Sequence, residues 1–362
     1  MLHVQKFLRE GGSLEDLTRI YAIDVKRHSE YTGLVLLKYD QINSDFSVPI
    51  VKECRGIVLD SSDNWNVVCY SMRKFHNFGE PLADHIDWNT ALVYTKEDGS
   101  LIQIFPYDNK WLVATSGSFG DGPVGDYGFT FRDLWLKTFT HKLPSTNCGC
   151  SFFFELCSVY NKIVVRHLEP HVVLLGGRNL ATLKELTLEE AHAYFPECKK
   201  VDSHPFTSFD ECIAASNKVS ALEREGFVVC DKDFNRVKLK SLEYVHLHHL
   251  KSSLGNSRRA LIQVVLKSEI PEIVASFPEF SPILLEAKSR LDALVIELET
   301  LYNEVSSIET QKEFALEIIG RKCKCTSALF AVRAKKAKNI RSYLCDMTID
   351  SVVELLGYRT EK

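Results

Sequence analysis

The chain has 362 residues, enough for a catalytic core plus a second domain. Hydrophobic residues make up 45% and charged residues 25%, the balance of a soluble globular protein, and no run of about 18 apolar residues is present to span a bilayer. A net charge of −4 excludes a uniformly basic surface. Met1-Leu2-His3-Val4-Gln5-Lys6 lacks the apolar stretch of a secretory signal, so an intracellular, cytoplasmic protein is expected. Of the eleven cysteines, Cys148/Cys150 and Cys323/Cys325 form two distant Cys-x-Cys pairs without histidines at metal spacing. Reduced thiols are expected rather than a disulfide framework or structural zinc.

The first 250 residues read as mixed strand and helix. Gly56-Ile57-Val58-Leu59, Ser151-Phe152-Phe153-Phe154 and His171-Val172-Val173-Leu174-Leu175 have the continuous apolar character of buried strands. Leu101–Phe105 is strand-like, and Pro106-Tyr107-Asp108-Asn109 predicts a hairpin turn after it. Gly117 to Gly128 is glycine-rich but lacks the Gly-Lys-Ser/Thr ending of a P-loop, and is read as a mobile surface loop. If Arg236–Lys240 is a strand, Lys238 and Lys240 share one face while Val237 and Leu239 face the core. Beyond residue 250 the pattern becomes helical. Ser281-Pro282 predicts a helix start with serine at the cap. Leu284, Ala287, Leu291, Leu294, Leu298, Leu301, Val305 and Ile308 then mark a single apolar seam that packs within the same domain. Thr348 is a candidate cap and Gly357 a candidate stop for the last helix. The reading is an α+β unit, residues 1–250, followed by an all-helical unit, residues 251–362.

Chemistry concentrates in a few short segments. Glu53-Cys54-Arg55-Gly56 comes first, then Arg73-Lys74-Phe75-His76-Asn77-Phe78-Gly79-Glu80. Lys96-Glu97-Asp98-Gly99-Ser100 sets one lysine before an acidic pair and a glycine, a turn that suits a lysine acting as a nucleophile. Gly99 would let the backbone approach a phosphate or sugar closely. Glu155 and Glu225 adjoin apolar strand residues, where an unpaired carboxylate is costly, so each is expected to meet a lysine, a ribose hydroxyl or a metal. Two ammonium groups on one strand face, Lys238 and Lys240, call for an anion between them, and a triphosphate is the natural candidate.

Taken in order, these segments resemble the motif series of the covalent nucleotidyltransferases, the DNA and RNA ligases and mRNA capping enzymes. Lys96–Gly99 matches the nucleophile motif, Phe153–Leu156 the third, Glu225-Gly226 the fourth and Lys238-x-Lys240 the fifth. The spacing is compatible: Glu155 lies 59 residues beyond Lys96, and Lys238 lies 13 beyond Glu225. Within the superfamily the chain is most similar to the T-even phage RNA ligase 1 family over residues 35–250, including the continuation Lys240-Ser241-x-x-Tyr244-x-x-x-His248. The resemblance implies an antiparallel-sheet adenylyltransferase domain that uses ATP with Mg2+ or Mn2+. Its product would be a 5′-phosphate joined to a 3′-hydroxyl RNA end through lysyl-AMP and adenylylated RNA.

The resemblance also implies roles. Lys96 is the nucleophile, with Arg55, Lys74, Glu97, Gly99, Glu155, Glu225, Gly226, Lys238 and Lys240 around the nucleotide. Glu155 receives the ribose hydroxyls, and Glu225, with Glu155 as a second candidate, holds the metal. Phe75, Asp98 and Tyr244 are secondary candidates. Arg55, Lys238, Lys240 and the metal are expected to lower the Lys96 pKa towards neutrality. Two positions depart from the family pattern: Ser116 stands where a lysine or arginine is common, and His76 where a second phenylalanine is common. Lys38-Tyr39-Asp40-Gln41 resembles the nucleophile motif but lacks its glycine, so Lys38 is rejected as nucleophile.

A capping guanylyltransferase would use the same chemistry with GTP, and an RNA-end-binding protein would use none. Helical sequence after Ser241 counts against the OB domain usual in capping enzymes and DNA ligases. Arg321–Tyr343 carries eight basic and no acidic residues, a candidate polyanion contact or a solvated helix face. The expected partner is single-stranded or broken-loop RNA, for example tRNA, bound by a monomer with no membrane association.

Overall fold

The computed structural model describes residues 1–358 except 242, 246, 248–250, 252, 255 and 256. The chain divides into two compact units, Met1–Val245 and His246–Lys362. His248 and Leu250, the expected domain boundary, lie outside the described residues.

Short apolar runs separated by turn residues make the first unit an assembly of three sheets. The first contains β1 (Ile23–Arg27), β2 (Leu34–Tyr39), β3 (Arg55–Asp60) and β4 (Asn66–Cys69), paired in chain order. Then follow β5 (His76–Asn77), β6 (Leu92–Lys96), β7 (Ser100–Tyr107) and β8 (Lys110–Thr115). Next come β9 (Cys150–Cys157), β10 (His171–Asn179) and β11 (Glu185–Leu186), and finally β12 (Ser203–His204), β13 (Gly226–Cys230) and β14 (Arg236–Lys240). The second sheet has the order β11-β10-β9-β7-β8 and the third β12-β6-β13-β14-β5. Among the described pairs of named strands only β5–β14 is parallel, and a single parallel bridge joins Leu174 to Lys200. The β7–β8 turn uses Asp108 and Asn109 at φ 48° and 57°, the double left-handed turn whose twist suits a two-residue hairpin.

Strand β9 shows why its apolar run is continuous. Phe152, Phe154 and Leu156 enter a core with Trp135 and Phe195. Phe153, Glu155 and Cys157 occupy the opposite face by the two-residue alternation of a strand, and Phe153 and Cys157 are buried there too. Two polar ties hold the sheets together. Buried Gln103 on β7 donates to the carbonyls of Gly56 (2.9 Å) and Thr115 (3.2 Å). Glu185 on β11 accepts from Arg178 of β10 (2.9 Å) and from Arg236 of β14, while Arg178 also donates to the carbonyls of Tyr70 and Ser71. One carboxylate thus links the second sheet, the third sheet and the segment after β4. Removing one partner of such a buried set costs about 3–5 kcal/mol.

The second unit is helical: Arg258–Leu266, Ile270–Ser276, Ser281–Val305, Gln311–Gly320, Thr326–Arg333, Ile340–Asp346 and Ile349–Leu355. The seam residues Leu284, Ala287, Leu291, Leu294, Leu298 and Val305 are buried in this unit's own core, with Leu301 and Ile308 partly buried against it. Ser281 is not the cap: a 3-10 turn over Pro278–Phe280 runs into the helix, so Phe280 takes that position and Ser281 is already helical. Thr348 does cap the last helix, accepting from the Ser351 amide, and Gly357 follows it at φ 76°. Of the basic stretch, Arg321 pairs with Glu304 and Glu317, Lys324 with Glu297, and Arg341 with Asp292. Arg333 donates to the carbonyls of Ile308 and Glu309. Half of the stretch therefore holds helices together, leaving Lys322, Lys335, Lys336 and Lys338 exposed. Among the described residues no helix is long and apolar enough to cross a membrane.

The Gly117–Gly128 segment is more closely packed than the sequence suggests. Ser118, Phe119 and Val124 are buried, and Arg132 donates to the Phe119 carbonyl at 2.6 Å. A tighter constraint lies at Gly226, where a Cβ would stand 1.9 Å from the Leu239 carbonyl oxygen of the neighbouring strand. Gly226→Ala must therefore push β13 and β14 apart. It is expected to destabilise the chain by about 2 kcal/mol or more, read as a lowered urea midpoint.

Candidate active site

The site is assembled from three neighbouring strands of the third sheet. Gly226, the first residue of β13, is directly opposite Lys96 on β6 and opposite Lys240 on β14. The two lysines therefore flank Gly226, and Glu225 precedes it. The Glu225 carboxylate lies between them, with Oε2 2.6 Å from Lys96 Nζ and Oε1 2.8 Å from Lys240 Nζ. Glu225 is 3% exposed, while the lysine side chains are 22% and 26% exposed, so the carboxylate is the buried hub and the lysines reach outward.

Lys96 opens onto a cleft of about 490 Å³. Arg55, Phe75, Glu97, Gly99 and Glu155 line it, joined by Ser116 and Gly117 on one side and Arg236 on another. Phe75 supplies a ring with the Arg55 guanidinium 5.3 Å and the Lys238 ammonium 5.8 Å from its centroid, a cation–π arrangement. Arg55 Nη1 is buried with no hydrogen-bond partner in the protein, a donor available to an anion. Lys38, rejected as nucleophile, nevertheless lines the same cleft, and its ammonium lies 3.2 Å from where a Cβ on Gly117 would sit. It stands next to Ser116, where the family pattern has a cation. Register could have pointed to it, since Lys38 is opposite Arg55 across β2 and β3.

Several expected site residues have other partners. Lys74 turns its ammonium to the rings of Phe46 (4.4 Å) and Tyr39 (5.1 Å) and is absent from the cleft lining. Asp98 is 2% exposed and accepts from the amides of Val164 (2.8 Å) and Val165 (2.7 Å) and from the Tyr244 hydroxyl (2.8 Å). Asp98 and Tyr244 thus anchor the Lys96–Gly99 turn to two distant segments. Gly99 does line the cleft, but its close approach is to β9: a Cβ there would meet the Leu156 carbonyl at 2.4 Å. His76 does not stack at the cleft. Its Nδ1 is 3.0 Å from Glu80, and Phe75 is the ring that faces the site.

The electrostatics correct one expectation. Burial opposes the Lys96 charge, but Glu225 and then Glu155 outweigh it, holding the Lys96 pKa above its ordinary value. A carboxylate in contact overrides the cations that were expected to lower it. The depression falls on Lys238 instead, brought down to about 8 by burial and then by Lys74, Lys96, Lys240 and Arg55. Burial pushes Glu155 up to about 8, against the pull of Lys96. Glu225 is also buried, yet Lys96 and Lys240 keep its pKa below the ordinary value. The unliganded site therefore stores Lys96 in its charged form. Glu225→Gln removes the main stabilising charge, so the pH midpoint of Lys96 acylation by an amine-reactive reagent should fall by about 1–3 units. Mapped by peptide mass spectrometry, an unchanged midpoint would contradict this electrostatic account.

Comparison with known proteins places this geometry in a family. The profile of the family described as RNA ligase, of the T4 RNA ligase 1 type, matches residues 53–244, more than half of the chain. A baculovirus protein named as a candidate bifunctional polynucleotide kinase/RNA ligase, from Autographa californica nuclear polyhedrosis virus, is 31% identical over 78% of this chain and 43% of its own length. The RNA ligase of Rhodothermus phage RM378 is 24% identical over 74% of this chain and 78% of its own. RNA ligase 1 of bacteriophage TS2126 is 29% identical over 60% and 58% respectively. The chain thus spans less than half of the baculovirus relative and a little over half of the TS2126 protein. Among solved structures, an archaeal ATP-dependent RNA ligase aligns at a TM-score of 0.46 and 14% identity, over 66% of this chain and 64% of that one. On the family profile and the baculovirus relative, the chain belongs to the RNA ligase family of the T4 RNA ligase 1 type.

Proposed function

We propose that the chain is an ATP-dependent RNA ligase that joins a 5′-phosphate to a 3′-hydroxyl through lysyl-AMP at Lys96 and an adenylylated RNA end. The observation that supports this most is the Lys96–Glu225–Lys240 row at the edge of a cleft lined by Arg55, Lys38 and Phe75.

In the free site Glu225 neutralises two lysines. Triphosphate entering between Lys238 and Lys240 offers Lys240 a new partner and so loosens the Glu225 bridge. Lys96 Nζ then loses one proton to solvent and attacks the α-phosphorus, forming an N–P bond as the bond to pyrophosphate breaks, and the new phosphoramide nitrogen sheds its second proton to solvent. Arg55 and Lys38 hold phosphate oxygens in this reading, which the unpartnered buried Nη1 of Arg55 and the cleft position of Lys38 support. Lys74, seated on two rings, contributes positive potential through Lys238 rather than a cleft contact. Glu155, which lines the cleft, receives the ribose hydroxyls in this reading. A divalent cation such as Mg2+ or Mn2+ would neutralise phosphate charge when bound. Glu155 and Glu97 line the cleft and would hold it, joined by Glu225 once its Lys240 contact is released. In the second step the 5′-phosphate of RNA displaces Lys96 from AMP. In the third the 3′-hydroxyl displaces AMP.

The RNA is inferred to be a single-stranded end or a broken loop, such as that of a cleaved tRNA, in the cytoplasm of a host cell. Exposed Lys335, Lys336 and Lys338 supply a short basic contact for its backbone, bound by a monomer.

The experiment is joining of a 5′-phosphorylated, 3′-hydroxyl RNA with Mg2+ and either ATP or GTP, with Lys96→Ala alongside. Ligated or circular RNA is expected with ATP, and none with the variant. Product with Lys96→Ala would displace the nucleophile, whereas use of GTP alone would favour capping chemistry. A narrower test addresses Lys38. Loss of one charge-assisted phosphate contact is worth about 1.5 kcal/mol or more, so Lys38→Ala should raise the ATP concentration needed for half-maximal adenylylation about tenfold. An unchanged ATP dependence would remove Lys38 from the phosphate contacts.

A further inference from the structure

A second group of chemistry-bearing side chains lies behind the nucleophile turn, on the same face of β9 as Glu155. Cys157 ends β9, and His171 begins β10 directly opposite it in the antiparallel register. His167, in the connection between those strands, completes a set of three whose ligand atoms all lie within 4.8 Å of one another. In sequence the set reads Cys-x9-His-x3-His, and the histidine spacing falls within the range of zinc-binding pairs. The sequence reading missed it because attention to the two Cys-x-Cys pairs passes over a cysteine whose histidines come from the next strand and its approach.

Each imidazole is held by a backbone carbonyl. His167 Nε2 is 2.6 Å from the Asp98 carbonyl oxygen, and His171 Nδ1 is 3.0 Å from the Glu169 carbonyl oxygen. A carbonyl can only accept, so these two nitrogens carry the ring protons. Nδ1 of His167 and Nε2 of His171 then keep their lone pairs, the arrangement in which backbone carbonyls fix the tautomer of metal-ligating histidines. Cys157 is fully buried and surrounded by acidic groups.

We infer that Cys157, His167 and His171 bind one zinc ion, with water in the fourth position. One thiolate and two imidazoles suit zinc, not the oxygen-seeking magnesium of the nucleotide site. Binding displaces the Cys157 thiol proton to solvent and forms one Zn–S and two Zn–N bonds. The ion acts on the catalytic turn through two short links. His167 holds the Asp98 carbonyl, and Cys157 Sγ lies 3.1 Å from where a Cβ on Gly99 would sit. Zinc therefore fixes the 158–170 connection against the Lys96–Gly99 turn, and that role is structural.

The test uses the whole chain. After exhaustive dialysis, elemental analysis should find about one zinc per chain. Removing the zinc and adding cobalt(II) should produce a thiolate-to-cobalt charge-transfer band that saturates at one equivalent and raises the thermal midpoint. Cys157→Ser should abolish the band, and His171→Gln, at a half-buried position, should lose at least nine-tenths of the bound metal while keeping the native circular dichroism spectrum. Absence of both bound zinc and the cobalt band in the unmodified chain overturns the assignment. So does a band that survives Cys157→Ser, or full metal content in His171→Gln.

Discussion

A single carboxylate held between two ammonium groups organises the cleft end of the third sheet. Glu225 is buried immediately before β13, and burying it unpaired would be prohibitive, so Lys96 and Lys240 must approach from the strands on either side. This requirement explains why the residue between the lysines is glycine. Any side chain at Gly226 would strike the Leu239 carbonyl and widen the spacing that brings both lysines to one carboxylate. It also explains the charge state of the resting site. Lys96 is kept charged by the carboxylate in contact with it.

The supporting structure serves that row. Arg178, Glu185 and Arg236 tie the strand carrying Lys238 and Lys240 to the second sheet, which contributes Glu155. Asp98, just beyond Lys96, is fully occupied by two amides and the Tyr244 hydroxyl, so the acidic pair after Lys96 divides its work. Glu97 faces the cleft and Asp98 fixes the turn. Acidic residues adjacent in a motif need not share a function, since successive positions on an extended chain point in opposite directions.

Much of this was legible from order and spacing. The Lys96 motif, the Glu155 strand, Glu225-Gly226 and the Lys238-x-Lys240 alternation each imply a strand with one polar face, and the structure places all of them at one cleft or beside it. What escaped depended on contacts between distant segments. Nothing local to Lys74 reveals that Tyr39 and Phe46 would take its ammonium, and nothing local to Lys38 reveals that β2 carries it over Gly117. The sign of the Lys96 shift was misread for the same reason. A list of nearby cations omits the one carboxylate in direct contact, and at 2.6 Å that contact dominates. In the helical unit, the seam was readable from period alone, while the basic stretch was not, because its partners Glu297, Glu304 and Asp292 lie on another helix.

The central claim is that Lys96 becomes a covalent nucleotide carrier. Intact-protein mass spectrometry after incubation with Mg2+ and ATP or GTP tests it most directly, with peptide mapping to locate any adduct. The account predicts a gain of one AMP per chain with ATP alone, attached to Lys96. A gain of GMP, an adduct on another residue, or no gain with either nucleotide would contradict it.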